Sequence, residues 1–191
     1  MDLDLAPTVT EVARVVRGVR DDQLAAPTPC TDMSVAALLD HLDGLALAFR
    51  LAAEKAPPGG APQPSAEKLT PDWRTRIPAR LESLAAAWRE PGAWDGETEV
   101  GGVQMPGEAA GLVGLNEVLV HGWDLAVATG QAYAADPVAA QACVDLVQDF
   151  AVAAPEARDE IYGPVVPVPG EAPVLDRLLG AAGRDPGWTP R

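Results

Sequence analysis

From Glu108 to Gly130 the chain reads EAAGLVGLNEVLVHGWDLAVATG. Wound at about 100° per residue, Leu112, Val113, Leu115, Val118, Leu119, Val120, Trp123, Leu125 and Val127 cover most of its circumference. A helix that is apolar nearly all round is normally buried, so the rest of the chain has to wrap this segment. One strip breaks the pattern. Ala110, Gly114, Glu117, His121, Asp124 and Ala128 fall within about 80° of each other, which stacks an acid and an imidazole on one line flanked by small side chains. The small flanks are expected to leave room for a pocket beside the polar groups.

The remaining segments supply the wrapping. Val9, Val12, Val16 and Val19 give a helical rhythm to Pro7–Val19. RDDQLAAPTPCTDM reads as a loop, after which Ser34 is a suitable N-cap for a helix that carries Leu38, Leu42, Leu45 and Phe49 on one face to about Lys55. APPGGAPQPS excludes a helix and is long enough for the chain to cross a bundle end. Trp73, Ile77, Leu81, Leu84 and Trp88 stripe a third helix from about Pro71 to Arg89. GAWDGETEVGGVQMPG is a turn-rich connector with room for a short hairpin, although strands have little support elsewhere. The Glu108 helix stops at Gly130, a C-cap candidate. Pro137 opens a further helix to about Ala153, and a proline-rich strap then ends in a short helix near Pro173–Ala182. The expectation is an all-α fold, one domain over residues 1–191, built as an antiparallel helical bundle with a wrapped C-terminal strap.

Composition narrows the function. A formal charge of -14, with Lys only at Lys55 and Lys68, repels phosphate backbones and anionic lipid, so nucleic acid and membrane are not expected partners. No apolar run approaches the ~20 residues of a membrane span, and the N-terminus is acidic where a secretion signal would be basic, so a cytoplasmic protein is expected. Cys30 and Cys143 are too few and too separated for a disulfide framework and read as packed thiols. Monomer and homodimer both remain open. No phosphate-cradling glycine loop and no nucleophile elbow is found.

The chain has two histidines, His41 and His121. His41 falls between Leu38 and Leu45 in the core-facing stripe of its helix. Taken alone it reads as a hydrogen-bonded core residue, and an isolated Glu-x-x-x-His reads as a solvated pair. Here the pair lies on a helix with little solvated face, and both histidines take core-facing positions. A buried carboxylate is expected to neutralise or to find a cation, and Glu117 and His121, one turn apart, can grip one ion with His41 as the third ligand. Two His and a carboxylate form a common catalytic Zn²⁺ set with a position left open, and they also suit Ni²⁺ or Fe²⁺. Asp124 is a fourth ligand, an acceptor for His121 or an ordinary helix-end acid, the second being favoured. Trp123 reads as packing. Neither Arg50 nor Arg80 can be singled out as a carboxylate clamp, and no catalytic residue is assigned.

TPCTDMSVAALLDHL (Thr28–Leu42) together with NEVLVHGWDLAVATGQ (Asn116–Gln131) resembles the DinB-like superfamily, and more closely its actinobacterial metal-binding branch related to the N-terminal domain of mycothiol-dependent maleylpyruvate isomerase. Tyr162–Pro186 resembles the ending of that group, with Tyr162 in place of the usual Phe, so the resemblance spans nearly the whole chain. It implies a four-helix bundle holding a divalent metal, commonly zinc, on His41, Glu117 and His121. Two departures stand out. Met33 occupies a position where relatives usually carry Trp, at the expected pocket rim, and a short strap follows the bundle where the isomerase has a further domain.

The expected function is therefore a divalent-metal-binding, mycothiol-dependent transferase or isomerase acting on a small electrophile. The alternatives are a non-catalytic metal- or small-molecule-binding stress protein and a metal-dependent hydrolase with Asp124 as its base.

Overall fold

The computed structural model describes residues 3–57 and 63–190. Seven α-helices and one hairpin follow in order: α1 Ala6–Gly18, α2 Val35–Ala53, α3 Trp73–Trp88, β1 Glu97–Val100, β2 Val103–Pro106, α4 Gly107–Ala128, α5 Pro137–Ala153, α6 Pro155–Tyr162 and α7 Val174–Ala181. The ends of these helices have local causes. The Ser34 hydroxyl accepts the Ala37 N–H at 3.3 Å to start α2, and Asp136 accepts the Ala139 N–H at 2.8 Å ahead of Pro137 to start α5. Gly130 follows α4 at a φ of 68°, a left-handed conformation suited to the residue after a helix end.

α2 packs against α3 and α4, and α1 packs against the same two helices. The four therefore form a square with α1 opposite α2 and α3 opposite α4. The chain crosses the bundle end between α1 and α2, and again through the hairpin between α3 and α4. The crossing expected at APPGGAPQPS is not found, because that segment joins the adjacent helices α2 and α3; its residues 58–62 lie outside the described residues. The apolar stripes meet in the centre: Val9, Val12 and Val16 of α1, Leu38, Leu42 and Phe49 of α2, and all five stripe residues of α3 are buried. Each such side chain contributes roughly 1.5–3 kcal/mol by leaving water.

α4 is buried along nearly its full length and all round, as its apolar circumference requires. The hairpin turns on Gly101 and Gly102, both at positive φ (59° and 87°), which a two-residue turn between strands of native twist demands. Thr98 ties the hairpin to the bundle by donating from its hydroxyl to the Ala52 carbonyl at 2.8 Å.

α5 ends at Ala153, as expected, and the departure follows it: where an extended strap is expected, Pro155 starts a further helix, α6. Beyond it the strap closes on itself. Arg158, 2% exposed, donates to the carbonyls of Gly163 and Ala181, and Val166 N–H bonds the Gly180 carbonyl at 3.0 Å. α7 packs against α5, anchoring the strap to the bundle.

Candidate metal centre

Because α2 lies against α4, His41 is brought across to Glu117 and His121. His41 Nε2 is 3.8 Å from Glu117 Oε2, and His121 Nε2 is 3.4 Å from the same oxygen. The imidazole centroids lie 4.9 Å apart with ring planes at 79°. One donor atom of each of the three residues lies within 4.8 Å of the others. A tetrahedral ion with bonds of about 2.0–2.1 Å holds its ligand atoms about 3.4 Å apart, so small rotamer adjustments fit this trio to one cation.

His121 is fixed from behind. Asp124 Oδ2 lies 3.0 Å from His121 Nδ1, and Arg184 reaches Asp124 with Nη2–Oδ2 at 3.2 Å and Nε–Oδ1 at 3.4 Å. Asp124 is fully buried and Arg184 is 9% exposed. With its carboxylate ionised beside the guanidinium, Asp124 keeps the proton of the neutral imidazole on Nδ1. The Nε2 lone pair is left on the Glu117 side, the arrangement a metal-binding histidine requires.

Burial disfavours a charged imidazole, but the hydrogen bonds and negative charges of Asp124 and Glu117 outweigh it and raise His121 to about 9. Burial likewise pushes the Glu117 carboxyl up, and His121 and His41 overcome this to hold it well below the usual carboxylate range. Without a cation, then, the triad itself gathers a proton between acid and imidazole.

The triad opens into a cavity of about 490 Å³ whose other walls come from the loop before α2 and from the strap. Met33 stands on this wall. So does Cys30, which burial pushes up to about 11, with Arg184 opposing. Cys30, His121 and Asp124 form a second group of potential donors, also within 4.8 Å. Asn116, 1% exposed, donates from Nδ2 to the Tyr162 hydroxyl at 3.0 Å, and its Oδ1 finds no partner among the described residues. The Tyr162 hydroxyl is the group that a Phe at this position would lack.

The small residues beside the polar strip do not make the pocket. A Cβ on Gly114 would stand 2.9 Å from the Phe49 ring, so the missing side chain lets α2 approach α4. The cavity is made instead by the two segments laid over the bundle. Trp123 is buried, Cys143 is fully buried, and Arg50 pairs with Glu54 at 2.9 Å, away from the triad. Asn116 and Arg184 are not singled out from sequence, and Tyr162 is marked there only as the replacement for a Phe. Their partners lie 46 and 60 residues away, and no local pattern marks such pairs.

No helix among the described residues is long and apolar enough to cross a membrane. A family profile, the mycothiol maleylpyruvate isomerase N-terminal domain, matches residues 5–126. Two uncharacterised proteins of Mycobacterium tuberculosis, from strains CDC 1551 / Oshkosh and ATCC 25618 / H37Rv, are each 30% identical over 181 residues, covering 90% of this chain and 91% of theirs. No solved structure matches the chain.

Proposed function

The chain belongs to the mycothiol maleylpyruvate isomerase N-terminal domain family, and on that footing we propose that it is a divalent-metal-dependent transferase or isomerase that uses a low-molecular-weight thiol, mycothiol in the first instance, on a small electrophilic substrate. The observation that carries the reading is the convergence of His41, Glu117 and His121 on the wall of a cavity large enough for a small molecule.

His41 and His121 would hold the ion through Nε2 and Glu117 through a carboxylate oxygen, and zinc suits the set best. A divalent cation there supplies the Lewis acidity that lets a bound thiol lose its proton near neutral pH. Asp124 and Arg184 orient His121, while Asn116 and Tyr162 offer polar contacts to whatever enters. The second donor group is a poorer host. Asp124 is already paired with Arg184, whose charge repels a cation, and the Cys30 thiol holds its proton at neutral pH.

The same pairing disfavours the hydrolase alternative, because both Asp124 oxygens are engaged and the carboxylate is sealed from the cavity. Three protein ligands opening on a cavity also fit turnover better than sequestration, which favours a closed four-ligand shell. Free cysteines at Cys30 and Cys143 suit a reducing, cytoplasmic setting.

Calorimetry of the zinc-loaded protein with mycothiol, followed by thiol-dependent turnover across a panel of electrophiles, tests the proposal. Binding and turnover that both disappear in Glu117→Gln are expected. Turnover that persists without any thiol would contradict it.

A further inference from the structure

His41 and Glu117 form a partition with a cavity on each side. Opposite the one already described lies another of about 460 Å³, walled by α2, α3, α4, the tip of the hairpin and, through Pro64 and Lys68, the segment before α3. Its size falls within the roughly 300–1,000 Å³ of small-molecule sites. Its body is apolar, with Leu45, Phe49 and Val113 on the wall, and its basic residues are Lys68, Arg76 and Arg80. In a chain with 14 Lys and Arg against 28 Asp and Glu, three cations around one hollow are a local concentration of positive charge, balanced in number by Asp40, Asp43 and Glu117 on the same wall.

Each acid on this wall has a partner, although Asp43 Oδ1 finds none among the described residues. Asp40 accepts the Ser65 N–H at 3.0 Å, and Glu117 faces the two imidazoles. Asp43 holds two guanidiniums at once, with Arg76 Nη2 at 3.0 Å and Arg80 Nη1 at 2.8 Å from the same Oδ2. One carboxylate shared by two guanidiniums leaves a positive charge over. Arg80 makes its hydrogen bonds to the described residues through Nη1 alone, to the side chain and carbonyl of Asp43, so Nη2 and Nε can still donate. Both arginines are partly exposed, at 35% and 28%, and can therefore meet a ligand.

We propose that this second cavity binds an amphipathic organic anion, its apolar body against Leu45, Phe49 and Val113 and its single carboxylate held by Arg80 with Arg76. The inference goes beyond the metal reading, since the groups that hold the anion do not touch the triad.

The test is calorimetry on the full chain with 4-phenylbutyrate and its neutral isostere 4-phenylbutan-1-ol, in zinc-loaded and chelator-treated protein. The acid is expected to bind both forms alike and about tenfold or more tighter than the alcohol, the worth of a charged hydrogen bond. Arg80→Met removes that preference and leaves alcohol binding in place. Gly44→Leu is the second variant. It lines the cavity, and a Cβ there meets nothing within 4 Å, so the leucine occupies the hollow without disturbing α2 and abolishes binding of both probes at a melting temperature that does not fall, since leucine is the better helix former. Equal affinity for acid and alcohol, an Arg80→Met protein that keeps the preference, or binding that vanishes with chelation would each overturn the proposal. Zinc content of the same samples separates the two readings: a protein that takes up no zinc but discriminates acid from alcohol loses the metal function and keeps this site.

Discussion

His121 sits between two carboxylates, Glu117 at 3.4 Å on the Nε2 side and Asp124 at 3.0 Å on the Nδ1 side. The second contact fixes the tautomer. Asp124→Asn is therefore expected to weaken zinc binding by about 10–100-fold, read by competition with a chromophoric chelator. Arg184→Met leaves the buried Asp124 charge without its cation and should destabilise the chain by about 3–5 kcal/mol in urea denaturation.

Protonation competes with the metal at the same imidazole. A histidine whose folded pKa is raised from its ordinary 6.5 to about 9 lends stability to the metal-free protein that is complete below pH 6.5 and lost as pH rises through 9. Zinc has to displace that proton, so its affinity rises over the same window, by up to about tenfold per pH unit. A zinc affinity flat between pH 6.5 and 9 would contradict the arrangement. At this scale the sequence discloses Glu117, His121 and Asp124, because their spacing lies on one helix, and His41 through its stripe. Arg184 stays hidden, since nothing near it in the chain records a partner 60 residues earlier.

Among the elements, α4 is the one on which the others depend. Its glycines are contact points: a Cβ on Gly122 would run into Val12 of α1 and the Tyr133 hydroxyl, and one on Gly111 would meet the rings of Trp88 and Trp94. Gly122→Ala should lower stability by about 1–3 kcal/mol through overpacking, even though alanine is the better helix former. A stabilised variant in thermal denaturation would show that α1 and α4 are not packed so closely. Helices with a regular apolar stripe were legible because burial on one face writes that period into the chain. α6 was not. Its eight residues, PEARDEIY, carry no stripe, and its start is set by Pro155 in its first turn. The small residues of α4 were visible too, but composition cannot distinguish a surface left empty for a ligand from one filled by Phe49.

At the scale of the molecule, the bundle supplies the donors and the strap supplies the enclosure. The family profile ends at residue 126, whereas Tyr162, Gly163, Pro164, Gly183 and Arg184 of the cavity lie beyond it. This division predicts that ligand preference varies with the strap while metal binding stays with α2 and α4. Gly183 is its most sensitive point. It sits at a φ of 73°, and a side chain there would collide with the Tyr162 carbonyl. Gly183→Ala should cost about 1–3 kcal/mol or more. It should also speed amide exchange over residues 163–184 while leaving α1 to α3 protected and the zinc stoichiometry unchanged.

The most direct test of the metal centre is zinc-edge X-ray absorption on protein purified without chelators or added thiol. Two imidazoles and a carboxylate predict only nitrogen and oxygen neighbours at about 2.0–2.2 Å. A sulfur neighbour at about 2.3 Å would place the ion on Cys30 with His121 and Asp124 instead, and the absence of bound zinc would remove the centre altogether.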